Sequence, residues 1–161
     1  MIIINKRNLF FLISVWLLST LLSAQNVTIS TPHTQLLLSV PNGGTPEQLY
    51  YGSRTSDADI RSICETARRR NAYPVYGMGY PCETALSVRH ADGNLTLQMA
   101  VIGVKETRLT KENATLTVIE LKDKVYPFFV NICYKAWQDA DVIETWTEIR
   151  HEEKKPVQLQ Q

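Results

Sequence analysis

The sequence predicts an all-β protein, a large antiparallel β-sandwich with one short helix in a connection. Hydrophobic residues make up 44% of the 161 residues and charged residues 20%, a balance that is typical of a globular chain. Apolar and polar side chains alternate along most of the chain, as they do in half-buried strands. Short turns separate these runs, so we expect consecutive strands to pair antiparallel in a sandwich.

Residues 1–24 have the organisation of an export signal. Lys6 and Arg7 precede an apolar run from Leu9 to Leu22, and cleavage is predicted after Ala24. The run has 14 residues, whereas a spanning helix needs about 20, so an uncleaved membrane anchor is the alternative. Residues 25–161 retain 15 basic and 16 acidic side chains, a net charge of −1. We therefore expect a secreted or periplasmic domain that has no membrane span after cleavage and does not bind nucleic acid.

The predicted domain, residues 25–161, begins with three short strands. They cover Val27 to Ile29, Gln35 to Val40 and Leu49 to Tyr51. The segment Pro41-Asn42-Gly43-Gly44 is predicted to form a turn, because glycine readily adopts the positive φ that such turns need.

The segment from Ser56 to Arg70 has helical spacing. Ile60 and Ile63 recur on one side of the predicted helix, and Ser56 is suited to cap its N-terminus. Arg68, Arg69 and Arg70 would lie at the other end, where the helix dipole favours cations. The arginines are interpreted as a solvated helix end, with a binding patch as the alternative.

An aromatic loop follows, from Tyr73 to Glu83. Its prolines and glycines alternate with Tyr73, Tyr76 and Tyr80. Tyrosine rings in such a loop either stack on the C–H face of a sugar or pack within the protein, and composition alone leaves both interpretations open.

The rest of the chain consists of predicted strands. A hairpin is predicted around Asp92-Gly93-Asn94, a sequence that favours tight turns. After a turn at Lys154-Lys155-Pro156, a new alternation begins at Val157. We expect a strand that starts there and is cut off at Gln161. The sandwich would then be incomplete at its C-terminus and have an open edge. The predicted strands are 86–90, 95–101, 113–121, 126–134 and 142–149. One face of the fourth strand carries the side chains of Tyr126, Phe128, Val130, Ile132 and Tyr134. In an incomplete sandwich this apolar face would lose part of the packing that covers it.

The sequence contains three cysteines, Cys64, Cys82 and Cys133, with no spacing that is typical of a zinc site. Export favours disulfides, and an odd number leaves at least one thiol unpaired. We interpret the cysteines as buried or free thiols. If a bridge forms, Cys64–Cys82 is the most plausible pair, because these cysteines flank one irregular segment.

No catalytic, substrate-binding or metal site is predicted, and no cofactor. His33, His90 and His151 are isolated in sequence, and we interpret His90 as a strand-end residue. Asp139 and Asp141 could form a carboxylate pair for glycoside chemistry, but Asp is also common in turns, and we favour the turn.

Several motifs occur together in an order that is specific to one family. In this order they resemble the N-terminal β-sandwich domain of glycoside hydrolase family 36, the α-galactosidases, and the resemblance covers roughly residues 35 to 159. The motifs are Leu49-Tyr50-Tyr51-Gly52, Tyr73-Pro74-Val75-Tyr76-Gly77, the Asp92-Gly93-Asn94 turn, the long aromatic strand, Asp139-Ala140-Asp141-Val142-Ile143 and Trp146-Thr147-Glu148-Ile149.

The resemblance implies a supersandwich-like domain followed, in family members, by a catalytic (β/α)8 barrel that holds both catalytic aspartates. This chain would then be the truncated, non-catalytic N-terminal portion of a secreted α-galactosidase that hydrolyses terminal α-galactosides. The implied partners are the barrel, galactoside sugars and further copies of the full-length protein. In some members an Asp of this domain reaches the galactose pocket; the matching loop here, between Gly52 and Tyr73, is shorter, and neither Asp57 nor Asp59 is assigned as a site.

The alternative function is a freestanding secreted β-sandwich that binds carbohydrate or a protein partner. It is motivated by the export signal, the lack of a catalytic motif and the aromatic loop.

Overall fold

The computed structural model describes residues 25–79 and 83–160. The predicted signal peptide, Tyr80 and Cys82 lie outside the described residues, so the leader stays a prediction. Cys64 is a free thiol, so the Cys64–Cys82 bridge is wrong.

The described residues form three antiparallel sheets, which confirms the predicted all-β class. The first has the order β1-β2-β3-β4, the second β6-β7-β8-β9, and the third pairs β5 with β10. A short helix, α1 (Asp57–Thr66), and a 3-10 turn, Thr110–Glu112, lie in connections. The strands are β1 (Gln25–Ser30), β2 (Thr34–Val40), β3 (Glu47–Ser53), β4 (Arg70–Asn71), β5 (Ser87–Arg89), β6 (Met99–Leu109), β7 (Ala114–Asp123), β8 (Phe128–Trp137), β9 (Val142–His151) and β10 (Gln158–Gln160).

The core lies between the two four-stranded sheets. Phe128 and Val130 of β8 have no exposed surface, and they belong to one hydrophobic cluster with Leu36 and Leu38 of β2. The expectation that this face of β8 loses its cover is wrong for these residues, because the first sheet packs over them. The exposed long strand is instead β9, none of whose residues is buried.

The helix is shorter than the sequence predicts. Ser56 caps α1 as expected, since its hydroxyl accepts a hydrogen bond from the backbone N–H of Asp59. The helix ends at Thr66, so the predicted extension to Arg70 is wrong, and the arginines lie beyond it. The reason is tertiary: Arg70 pairs with Gln48 of β3, and Arg69 binds Glu47.

The predicted hairpin at Asp92-Gly93-Asn94 is also wrong, although the turn itself forms. The backbone N–H of Gly93 donates to the carbonyl of His90 at 2.9 Å. The chain then leaves β5, and the N–H of Leu97 bonds to the carbonyl of Tyr76 instead. The partner of β5 is the C-terminal β10, with Leu159 opposite Val88.

Candidate functional site

A buried hydrogen bond connects two parts of the chain that are distant in sequence. Nδ1 of His90, at the end of β5, lies 2.7 Å from a carboxylate oxygen of Glu153, in the connection between β9 and β10. The other carboxylate oxygen accepts the backbone N–H of Ala91 at 2.9 Å. The His90 side chain has no exposed surface and that of Glu153 only 6%. We call His90, Ala91 and Glu153 the clasp.

Aromatic rings enclose the imidazole of the clasp. The ring of Tyr126 stacks on His90 with centroids 3.7 Å apart, and Phe128 meets it edge-on at 5.8 Å. Nε2 of His90 is buried without a hydrogen-bond partner among the described residues. Glu153 is therefore the only described hydrogen-bond partner of the imidazole, and it orients the ring together with Tyr126 and Phe128.

A hydrogen-bonded rim surrounds the outer side of the clasp. The Tyr126 hydroxyl donates to Asp92 at 2.7 Å and accepts from the Asn94 amide at 2.9 Å. The backbone N–H of Asn94, followed by the Tyr126 hydroxyl, lowers the pKa of Asp92 below its usual value. Asp92 and Tyr126 border an open cleft of about 460 Å³, together with Glu152, Glu153, Lys154 and Lys155.

The hydrogen bonding of this cluster favours a structural role, in which it positions the β9–β10 connection, over a catalytic one. A glycosidase pair needs one carboxyl group to give or take a proton and another to attack or to activate water. Both oxygens of Glu153 already accept hydrogen bonds, from His90 and Ala91. The oxygens of Asp92 accept from Asn94 and Tyr126. The cluster holds the β9–β10 connection against the turn after β5.

A second candidate site is the open groove where the two large sheets diverge. Its volume is about 440 Å³, and its lining includes Tyr51 from β3 and Thr145 from β9. None of its lining residues is charged. Tyr51 lies opposite Leu36 in the β2–β3 pair and is 64% exposed. The groove is suited to an uncharged occupant with both apolar and hydroxyl groups.

Two tyrosines line the deeper part of this groove, and burial keeps their hydroxyls protonated. Burial raises the pKa of Tyr73, against the opposing effect of its hydrogen bond with Thr147. Burial also raises the pKa of Tyr134 to about 12. At neutral pH the groove therefore offers neutral hydroxyl groups and no general base from these residues.

The structure separates the tyrosines of the predicted aromatic loop. Tyr73 is buried in the core cluster, whereas Tyr76 is half-exposed. The two rings thus have different environments, and the packing interpretation is correct for Tyr73. The aromatic side chain that sequence reasoning missed is Tyr51, whose exposure depends on tertiary packing and not on the local pattern.

The predicted turn at Asp139 and Asp141 is confirmed. Asp141 accepts the Thr31 hydroxyl at 2.5 Å and the His33 backbone N–H at 3.0 Å, and it ties the β8–β9 turn to the β1–β2 turn. The Thr31 hydroxyl, followed by the N–H of His33, lowers the pKa of Asp141. Asp139 accepts the Asn113 amide at 2.6 Å. Neither carboxylate is left without a hydrogen-bond donor.

The remaining candidates have local structural contacts. Asp57 and Asp59 lie in the first turn of α1, where Asp59 accepts the Ser56 hydroxyl. Cys64 and Cys133 are free thiols, and burial raises the pKa of Cys133 to about 11. In the described part of the chain, no group of three or more His, Cys, Asp or Glu residues could hold a metal ion.

The fold and these contacts define a β-sandwich domain whose polar clusters are bonded within the domain itself. The family model of the glycosyl hydrolase family 36 N-terminal domain matches residues 44–161, and the chain belongs to this family. No curated protein matches the sequence significantly. No helix in the described ranges is long and apolar enough to cross a membrane.

Solved structures of α-galactosidases have the same fold. The enzyme from Lactobacillus brevis superposes with a TM-score of 0.71 at 15% identity, over 84% of this chain and 23% of that one. A family 36 α-galactosidase from Geobacillus stearothermophilus, in complex with 1-deoxygalactonojirimycin, gives 0.73 at 14% identity, with the same coverage. The galactosidase domain of an α-galactosidase-sucrose kinase gives 0.66 at 21% identity, over 82% of this chain and 23% of that domain. The chain thus spans about a quarter of the length of these proteins.

Proposed function

We propose that this chain is the non-catalytic N-terminal β-sandwich portion of a secreted α-galactosidase, in which a separate barrel hydrolyses terminal α-galactosides. The match to the family 36 N-terminal domain over residues 44–161 is the observation that supports it most strongly. The similarity in fold to α-galactosidases over about a quarter of their length agrees with a role as one part of such an enzyme.

The proposal assigns the chemistry to a part of the enzyme other than this sandwich. The carboxylates of Glu153 and Asp92, which border the cleft, are held by hydrogen bonds within the domain. The uncharged groove beside Tyr51 is a candidate contact surface for galactoside sugars or for the barrel. The full-length enzyme is proposed to act as a homo-oligomer.

A chromogenic α-galactoside tests whether the sandwich itself is catalytic. We expect the purified chain to release no chromophore above the rate of the buffer, with an active α-galactosidase as the positive control. Measurable hydrolysis that purifies with the chain would show that the sandwich is catalytic. Sequencing the coding DNA downstream of the codon for Gln161 tests the larger architecture, because a barrel-coding frame is expected there.

The proposed secreted or periplasmic location depends on residues 1–24. Expression of the chain with this leader in a bacterial host should yield an exported product whose N-terminal residue is Gln25. A chain that stays in the membrane fraction with Met1 intact would instead identify the segment as an anchor.

A further inference from the structure

A cationic pocket lies between the end of α1 and strand β3. Its volume is about 360 Å³, and every residue that lines it belongs to one continuous stretch of the chain, from Gln48 to Arg70. The lining includes Arg68 and Arg70 and contains no acidic side chain. We call it the arginine pocket. Its positive charge comes from neighbouring segments of the first sheet and its helix, and no residue of the second sheet takes part in it.

The structure gives the three consecutive arginines different roles. Arg69 donates to the Ser39 hydroxyl at 3.1 Å and pairs with Glu47 at 2.9 Å. The chain leaves α1 in an extended conformation, in which neighbouring side chains point to opposite sides. Arg68 and Arg70 therefore share the other side, which faces the pocket. Both are exposed, and neither side chain has a hydrogen-bond or ion-pair partner among the described residues.

The walls contributed by β3 supply aromatic rings and an amide. Tyr51 lines the pocket and is largely exposed. The ring of Tyr50 is held in place by its hydroxyl, which donates to the carbonyl of Ser53 at 2.8 Å. The side-chain amide of Gln48 has no hydrogen-bond partner in the described part of the chain, so it is available both as a donor and as an acceptor.

This combination of groups is suited to an acidic sugar. A guanidinium group presents its N–H donors as a planar fork that matches the two oxygens of a carboxylate. An exposed tyrosine ring can pack against the C–H face of a pyranose, and an amide can bond to its hydroxyl groups. A simple carboxylate would leave the ring and the amide unused, and a neutral sugar would leave both cations unpaired. The pocket volume lies within the range of about 300–1,000 Å³ that is typical of small-molecule sites.

We propose that the arginine pocket binds a saccharide that carries a carboxylate, such as a hexuronate. The carboxylate binds Arg68 and Arg70, the pyranose ring packs against Tyr51, and the Gln48 amide bonds to ring hydroxyls. The site is distinct from the uncharged groove, although Gln48 and Tyr51 border both cavities. The inference goes beyond the proposed function, because it concerns an acidic sugar and requires neither the barrel nor hydrolysis.

Galacturonate and galactose are a matched pair of ligands for the test. They differ only in the group at C6, which is a carboxylate in one and a hydroxymethyl group in the other. Isothermal titration calorimetry of the full chain should show saturable binding of galacturonate at millimolar concentrations, and added salt should weaken it. Galactose and acetate should each bind more weakly by about tenfold or more, because each lacks part of the recognised groups.

Substitutions in the pocket locate the binding. Arg68→Ala and Arg70→Ala should each weaken galacturonate binding by about tenfold or more, because each removes a charged donor. Arg68→Lys keeps the charge but not the planar fork, so it should fall between wild type and Arg68→Ala. Tyr51→Ala should weaken the binding of galacturonate and leave that of acetate unchanged. Arg61→Ala is the matched control, since Arg61 is an exposed arginine of α1 that does not line the pocket.

Circular dichroism of every variant checks that the chain is folded, and the comparison of the three ligands on the wild-type chain depends on no variant. If the arginines act only on the C-terminal end of α1, their replacement lowers stability and the wild-type chain does not bind galacturonate. The proposal is overturned by that result, by galactose or acetate that binds as tightly as galacturonate, or by an Arg61→Ala variant that weakens binding as much as Arg68→Ala and Arg70→Ala.

Discussion

The clasp makes a prediction about how the C-terminal strand is held. Replacing Glu153 by Ala removes the acceptor of two donors, the buried Nδ1 of His90 and the partly buried N–H of Ala91. A hydrogen bond to a charged group contributes about 1.5–3 kcal/mol, and a buried donor without an acceptor costs about 1–3 kcal/mol. Some water can reach the site, since Glu153 is 6% exposed, so we expect a loss of about 2–4 kcal/mol in the free energy of unfolding.

Urea denaturation of matched variants measures this loss. Glu152→Ala is the control, because the neighbouring Glu152 side chain is 59% exposed and its ion pair with Arg150 is a surface pair of little value. Glu153→Gln keeps the shape but presents only one acceptor oxygen, so it should fall between wild type and Glu153→Ala. In Glu153→Ala we also expect amide exchange to become faster than in wild type, and the increase should be larger in β5 and β10 than in β8. Equal stability of Glu153→Ala and Glu152→Ala would refute the reasoning.

Three other predictions concern individual side chains. Phe128→Ala should cost about 3–5 kcal/mol, because it leaves a cavity under a fully buried ring, whereas Phe129→Ala on the outer face should cost clearly less; denaturant melts compare them. Because the pKa of Asp141 is lowered in the folded chain, its contribution to stability is present at neutral pH and is lost as the pH falls below about 3.8. Asp141→Asn should therefore unfold more easily than wild type at pH 7, and the difference should shrink in acid. Cys133, with its pKa raised to about 11, should resist alkylation at pH 8 until the chain is denatured, as peptide mass mapping would show.

Local sequence patterns predicted most strands because alternation is a local consequence of burying one sheet face. The inward set from Phe128 to Tyr134 shows this, since four of its side chains at alternate positions are buried as the pattern requires. The pattern missed the second half of β6, where Lys105, Glu106 and Arg108 are exposed. A strand that lies at a sheet edge with solvent on both faces has no alternation to read.

The candidate sites depend on contacts between distant segments, and sequence reasoning found little of them. His90 and Glu153 are separated by 62 residues, and neither belongs to a recognisable motif. The long exposed edge of β9 likewise follows from its position in the sheet order, which alternation along one strand cannot reveal.

The sequence by itself determined the all-β class, the family resemblance and the turn chemistry of Ser56, Asp92 and Asp141, because each of these depends on residues close together in the chain. The tertiary structure decided which strands pair and which faces are covered. The segment after Asp92 could have returned beside β5, but β10 occupies that position, and Glu153 bonds to His90 just before it. Such choices depend on the free energy of packing and pairing across the whole domain, which no local pattern contains.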